Sequence, residues 1–298
     1  MKILVAGAQG QVARALYACA ARAGRHVVEA KGRPAFDLMQ PQSLERTLGL
    51  LKPDLVVNAA AYTAVDHAER DPAMAYAINR DGAGALAALA AVHDCPIVHL
   101  STDYVFDGSK AGAYVEEDAT GPTGIYGQSK LAGEAAVAAA NRRHIIVRTA
   151  WVYAAHGSNF VRTMLRLAKE RPELRVVADQ RGNPTYAVHL AEAILAIAER
   201  LGAAKPSPWG IYHAAGTGDT TWYEFAQSIV AAAHPLGIAP VPVLPITTAE
   251  FPLAAKRPAN SCLDCHKLQS TFAVRLPHWR EGLRACIGEL AAGNANSG

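Results

Sequence analysis

The sequence predicts an α/β protein: a Rossmann-like, doubly wound parallel sheet with a smaller, mostly C-terminal α/β domain. Three observations carry this. Short apolar strands alternate with longer helical patterns through the first half of the chain. A glycine-containing turn, Gly7-Ala8-Gln9-Gly10-Gln11-Val12-Ala13, follows the first strand. The second half loses the alternation and gathers prolines. Near-continuous apolar strands belong in a parallel sheet covered on both faces, with right-handed crossovers.

The elements follow in order. Ile3–Ala6 reads as a strand, Gln11–Ala23 as a helix and Val27-Val28 as a second short strand. Gln42–Leu51 reads as a helix, Leu55–Val57 as a strand after Pro53, and the alanine-rich Ala73–Val92 as one long helix. Strand Ile97–Leu100, helix Ser129–Ala140 and strand Ile145–Val147 complete the regular part. Beyond it, helices are expected at Phe160–Glu170, Leu190–Leu201 and Trp222–Ala233, and strands at Leu174–Val177 and Ile211–His213. Pro206-Ser207-Pro208 punctuates the chain, Pro235–Pro258 reads as loop and extended segments, and Asn294–Gly298 as a tail.

Composition narrows the function. The chain has 298 residues, 51% of them hydrophobic and 18% charged, enough apolar content for a sizeable core. A net charge of +3 without a Lys/Arg block argues against a nucleic-acid partner. No stretch approaches the roughly 20 apolar residues of a membrane span, so no membrane partner is expected. Lys2 and the run Ile3–Ala8 resemble a signal peptide only briefly, because Gln9, Gln11 and Arg14 break the apolar run. A cytoplasmic protein is therefore expected, and five scattered cysteines fit free thiols there. Cys262-Leu263-Asp264-Cys265-His266 matches the haem-attachment pattern, but that chemistry needs export. Zinc would need a second pair of ligands at suitable spacing, so no metal site is expected.

A strand, a glycine turn and a helix in that order form a pyrophosphate site. Glycines admit the anion to the backbone, and the helix N-terminus supplies N–H groups and a positive dipole. Gly7, Gly10, Gln11 and Val12 are the candidates, with Ala13 in the third small position. An acidic residue after the second strand binds the ribose hydroxyls of NAD, whereas a basic one accommodates the extra phosphate of NADP. Glu29 is followed here by Lys31 and Arg33, which favours NADPH while leaving NADH possible.

Tyr126 and Lys130 stand four residues apart, on one face of a helix. A nearby ammonium lowers the pKa of a phenol, about 10 in isolation, so that it can protonate a forming alkoxide. The fourth strand runs into Ser101-Thr102-Asp103-Tyr104, where either Ser101 or Thr102 could orient a substrate oxygen.

These residues resemble the extended short-chain dehydrogenase/reductases of the nucleotide-sugar branch, and most closely the dTDP-4-dehydrorhamnose reductases. The resemblance covers nearly the whole chain. It includes Val57–Asp66, Ser101–Gly108, Tyr126–Glu134 and Arg148–Tyr153. Asn159–Val161, Asp179–Thr185 and Arg257–Ser261 continue it. It implies the NADPH-dependent reduction of the C4 ketone of dTDP-4-dehydro-L-rhamnose to dTDP-L-rhamnose, with Thr102, Tyr126 and Lys130 as the catalytic residues. It puts Asp37, Leu38, Ala59, Ala60 and Ala61 on the cofactor beside the glycine turn, Lys31, Arg33, Tyr126 and Lys130. Thr102, Asp103, Tyr104, Trp151, Gln180, Asn183 and Arg257 fall to the nucleotide sugar. Residues 1–150 with a return segment at about 174–203 are expected to bind the dinucleotide, and about 151–173 with 204–298 the substrate.

Some family members dimerise through acidic side chains around magnesium. Ala15 stands at one of those acidic positions, so magnesium is left open, with monomer and homodimer both possible. Other nucleotide-sugar ketoreductases and epimerases share the scaffold, as do non-catalytic NADP-binding regulatory subunits. A dehydratase would need a Glu after Asp103, where Tyr104 stands. The intact Thr102, Tyr126 and Lys130 favour the reductase.

Overall fold

The computed structural model describes residues 1–203 and 208–295. Pro206 and Ser207 of the proline punctuation, and residues 296–298 of the tail, lie outside the described residues. The first half runs β1 Lys2–Ala6, α1 Gln11–Ala23, β2 Val27–Lys31, α2 Pro41–Leu51, β3 Leu55–Asn58, α3 Val65–Ala68 and α4 Pro72–Tyr76. A π-helical turn, Ala77–Gly82, leads into α5 Ala83–Val92, β4 Ile97–Thr102, α6 Ile125–Ala140 and β5 His144–Thr149. The second half runs β6 Val152–Tyr153, α7 Phe160–Glu170, β7 Leu174–Val177, β8 Arg181–Gly182, β9 Thr185–Tyr186 and α8 Ala187–Ala203. It ends with β10 Gly210–His213, β11 Thr220–Thr221, α9 Trp222–Ala231, β12 Val243–Ile246, β13 Asn260–Ser261, α10 His266–Phe272 and α11 Trp279–Ala295.

Six strands form one parallel sheet in the order β2-β1-β3-β4-β5-β10. The order reverses between β1 and β3, and in such sheets ligands bind at the carboxyl ends beside that reversal. Both faces are covered, which is why Ile3, Leu4 and Val5 can all be apolar and buried. On one face α1 packs against α8 through small residues, among them Ala13, Ala15 and Ala20. On the other, α2 and α5 bury Leu44, Leu48, Leu86 and Ala87.

The long helix expected over Ala73–Val92 is interrupted. The π turn at Ala77–Gly82 carries one residue too many for the α repeat, a distortion that tends to mark functional sites. Here it presses Asn79 against α6, where a Cβ on Gly133 would run into the Asn79 carbonyl. The cause is tertiary packing, which the local pattern does not carry.

The second half builds its own core from α7, α9, α11 and the strands between them, centred on Tyr153, Phe225 and Trp279. The expected return segment divides. β7 pairs with β12 in a separate two-stranded sheet, whereas α8 covers the large sheet. β10, within the stretch expected to belong to the substrate domain, forms the edge of the large sheet beside β5. Among the described residues no helix is long and apolar enough to cross a membrane.

Candidate active site

The glycine turn leaves the end of β1 and enters α1 at Gly10, its N-cap. Gly7 has φ +98°, a left-handed conformation, and a Cβ there would stand 3.1 Å from the backbone of Ala59 and Ala60. The turn and the loop after β3 thus approach each other closely, forming a backbone cradle suited to a pyrophosphate. Gly7 and Ala8 donate their N–H groups to the Lys31 carbonyl, which ties the turn to β2. Lys31 Nζ pairs with Glu29 at 3.1 Å, while Arg33 is exposed beyond it. Asp37 caps its own turn by accepting the Met39 N–H, and Leu38 is buried against Gly82. Gln11 accepts a hydrogen bond from Asn159, the N-cap of α7, joining the glycine turn to the second half of the chain.

The candidate proton-transfer residues lie at the carboxyl end of β4 and the start of α6. Helix α6 begins at Ile125, earlier than the pattern suggests, so Tyr126 and Lys130 share its first turns. Its start is fixed by Glu69, which accepts the Ile125 N–H at 2.8 Å. Thr102 ends β4, donates to Asp103 Oδ1 at 2.9 Å and accepts the Tyr104 N–H at 3.2 Å. Burial pushes the Tyr126 phenol up to about 12; a hydrogen bond with Thr102 draws it down, and the charge of Asp103 raises it. Burial likewise raises Asp103 to about 6, against hydrogen bonds from Thr102 and Ser261.

The expected lowering of Tyr126 by Lys130 does not appear: burial dominates and the phenol shifts upward. Lys130 Nζ turns away to the Leu100 carbonyl at 2.6 Å and to His99 Nε2 at 3.4 Å. Burial lowers its own pKa to about 8, with Glu134 acting in the opposite sense. A phenol with its dominant influence from burial stays protonated at neutral pH, which is the form a proton donor needs.

Two buried networks hold this group. Asn79 accepts the Tyr62 N–H and donates to the Tyr62 carbonyl and to Ser129, whose hydroxyl donates to the Tyr126 carbonyl. Ser101 and Arg148 both donate to Glu134, with Arg148 spanning its two oxygens at 2.9 and 2.7 Å. Ser101, left open as an alternative to Thr102, is thus committed to the Glu134 carboxylate.

A cavity of about 790 Å³ opens beside Tyr104, whose ring meets that of Tyr126 edge-on at 5.5 Å. Gln180 and Arg257 line it, as do Trp222, Phe160, Arg166, Arg171, Arg175 and the loop 251–257. Five of its side chains are cationic, but several are already paired: Arg257 with Asp66 at 2.6 Å, Arg175 with Glu250 and Arg166 with Glu170. Trp151 lies behind the wall. It stacks on Trp222 at 3.4 Å, and its left-handed φ of +46° is held by its carbonyl accepting the Thr185 N–H. Trp222 is the indole that faces the cavity, as the first residue of α9 behind a Thr221–Glu224 capping box. Asn183 is not brought to the cavity: its amide joins the Gly218 carbonyl to the Leu263 N–H. The Cys262–His266 motif is absorbed by packing, with Cys265 Sγ accepting the Ala215 N–H. Among the described residues no three His, Cys, Asp or Glu side chains gather to hold a metal ion.

Asn58 and Asp66 lie inside the Val57–Asp66 motif but are given no role there, and Trp222, Asn79 and His99 fall outside the motifs. The signal for Asn58 and His99 is polarity inside apolar strands, Leu-Val-Val-Asn58 and Ile-Val-His99-Leu. They are direct partners in the β3–β4 register.

The RmlD substrate binding domain family model matches residues 1–292. A curated dTDP-4-dehydrorhamnose reductase of Sinorhizobium fredii is 47% identical over 97% of this chain and 98% of its own length. The crystal structure of a dTDP-4-dehydrorhamnose reductase from Clostridium acetobutylicum superposes with a TM-score of 0.90 at 39% identity, covering 97% of this chain and 99% of that one. One from Bacillus anthracis, solved in complex with NADP, gives 0.90 at 35% identity over the same shares.

Proposed function

The chain belongs to the dTDP-4-dehydrorhamnose reductase family, and from that premise we propose how its residues divide the work of an NADPH-dependent ketoreductase. The substrate is dTDP-4-dehydro-L-rhamnose and the product dTDP-L-rhamnose. When bound, the dihydronicotinamide supplies a hydride to the C4 carbonyl carbon. Tyr126 gives its phenolic proton to the carbonyl oxygen as that oxygen becomes an alcohol. Thr102 holds the same oxygen in line. Lys130 swings from the Leu100 carbonyl to donate to the nicotinamide ribose. Gly7, Gly10, Gln11 and Val12 cradle the pyrophosphate with Ala59, Ala60 and Ala61 across from them. Lys31 and Arg33 take the adenosine phosphate, with Asp37 and Leu38 flanking the adenine.

The nucleotide sugar occupies the cavity beside Tyr104. Arg257 exchanges Asp66 for a diphosphate oxygen, a bidentate geometry that guanidinium suits, and Gln180 supports that end. Trp222 presents an apolar face to a ring, backed by Trp151. The observation that carries the proposal is Tyr126 at the start of α6, its ring edge-on to Tyr104 of the cavity wall at 5.5 Å, with Thr102 at the carboxyl end of β4 two residues before Tyr104. The test is loss of NADPH absorbance with freshly prepared dTDP-4-dehydro-L-rhamnose. Sugar-dependent oxidation yielding dTDP-L-rhamnose is expected. Cofactor binding without oxidation would contradict the proposal.

A further inference from the structure

Lys130 does not sit alone behind the catalytic tyrosine. A chain of three buried polar side chains crosses from β3 through β4 to α6. Asn58 is 1% exposed, His99 0% and Lys130 2%. The Ala60 N–H donates to Asn58 Oδ1 at 3.2 Å, and a backbone N–H has no other role to play. That fixes the amide so that Nδ2 faces His99 Nδ1 at 3.1 Å as a donor. A neutral imidazole accepting at Nδ1 carries its proton on Nε2. Nε2 in turn stands 3.4 Å from Lys130 Nζ. His99 stays neutral, because burial and then the lysine charge hold it well below the ordinary histidine range.

An imidazole N–H facing an ammonium sets donor against donor. Facing a neutral amine it meets a lone pair. Reversing the imidazole tautomer would only move the conflict to Asn58, and flipping Asn58 would move it to the Ala60 N–H. Every arrangement that favours the charged lysine leaves one buried or half-buried donor without its acceptor, which is costly. The other charges near Lys130 are accounted for. Glu134, one turn along α6, favours the ammonium but already accepts from Arg148 of β5 and from Ser101 of β4. Tyr126 on the same helix is a protonated phenol; in the π turn, Arg80 and Asp81 pair with each other at the surface, leaving the neutral Asn79 against α6.

We infer that His99 is a positioning residue for Lys130: its Nε2–H, oriented by the Asn58 amide, favours the neutral amine while the Leu100 carbonyl holds the nitrogen in place. This rests on the role given to Lys130 above, and adds a residue that sets when the lysine carries its proton. It makes Asn58 and His99 determinants of the pH range of the site, although neither lines the cavity.

Two nuclear magnetic resonance measurements on the ligand-free full chain test this. Nitrogen-15 shifts of His99, assigned through the backbone, report its tautomer directly. The Nε2–H form is expected, and the Nδ1–H form would overturn the inference. The Lys130 carbon-13 ε resonance, assigned by its absence in Lys130→Met, reports the lysine titration. His99→Gln offers a carbonyl in place of the donor, so the midpoint should rise by about one pH unit. An unchanged or lower midpoint would overturn the inference. Should His99→Gln fail to fold, Asn58→Asp provides the second route: it accepts from Nδ1–H, turns the Nε2 lone pair toward Lys130, and should raise the midpoint too. Neither measurement needs substrate. Absence of sugar-dependent oxidation would thus count against the proposed function alone, and a wrong tautomer against this inference alone.

Discussion

The proposed catalytic group and the proposed substrate cavity touch at Tyr104, yet they are built in opposite ways. Thr102, Tyr126 and Lys130 stand on β4 and α6, adjacent regular elements whose polar groups are bonded to one another in the interior. The cavity is assembled from α7, β7, α9, the segment after β12 and the loop 251–257. Its loop exposes Phe251 at 52% and Leu253 at 45%. Its main cation, Arg257, is held by an acid from α3 in the other half of the chain, since Asp66 also accepts the Ala255 N–H. The proposed catalytic group is held by hydrogen bonds within the fold. Three of the cavity's five cations, Arg166, Arg175 and Arg257, are held in internal pairs, so under the proposed function a diphosphate would exchange partners there. Exchange weakens net affinity but avoids leaving cations stranded.

The sharpest way to break this contrast is to disturb the support of the catalytic group. Arg148 and Glu134 are a buried pair, 3% and 4% exposed at their side chains. Arg148→Met should lower stability by about 3–5 kcal/mol in denaturant unfolding, as expected when one partner of a buried pair is left behind. A loss below about 1 kcal/mol, the range of exposed pairs, would mean the interior is not the rigid frame described. Next, Thr102→Val removes a hydroxyl and leaves the fold. Turnover should fall roughly 10- to 100-fold, the cost of a buried hydrogen bond of about 1–3 kcal/mol, with little change in NADPH affinity. Equal turnover would move the orienting role elsewhere.

The cavity predicts the other kinetic signature. Arg257→Ala should raise the KM for the nucleotide sugar about tenfold while kcat changes little, because the lost contact serves ground state and transition state alike. Asp66→Asn should do the reverse, lowering KM by releasing Arg257. If both variants raise KM equally, the pair is a structural clamp and not an exchangeable one. The smallest effect belongs to the cofactor's outer edge. Lys31→Ala with Arg33→Ala should raise the KM for NADPH a few-fold, on the order of 1 kcal/mol for exposed charges, and leave that for NADH unchanged. Equal changes would show those charges to be merely solvated.

Acidity offers a further check inside the catalytic group. Asp103 has its folded pKa raised to about 6 by burial, above the ordinary aspartate value of 3.8. The folded state therefore binds the extra proton between those values, and the stability cost of the buried charge is fully present above pH 6 and relieved as pH falls toward 3.8. Asp103→Asn should raise the melting temperature at neutral pH, by no more than about 3 kcal/mol of stability, and lose that advantage at low pH.

The two regions also differ in how far the sequence discloses them. Tyr126 and Lys130 are legible because a helix repeat places them together, and Gly7 because a turn with φ +98° needs glycine. The strands of the first half are legible because burial on both faces makes them continuously apolar. The π turn at Ala77–Gly82 is not, since it answers to Leu38 and Gly133, far away in the chain. The same holds for β10, whose place at the sheet edge comes from pairing with β5. In the cavity, Arg257 is flagged by resemblance alone, and nothing local reveals that Asp66 holds it. Trp151 is the more conspicuous indole in the sequence, but Trp222 stacks on it and lines the cavity.

Proton donation by Tyr126 is tested most directly by Tyr126→Phe, compared with the parent protein for NADPH binding by fluorescence and for turnover of dTDP-4-dehydro-L-rhamnose. Cofactor affinity should be unchanged and turnover lower by roughly 100- to 10,000-fold, the range that a positioned proton donor contributes. Turnover within a few-fold of the parent would contradict the assignment, because the proton would then come from another group.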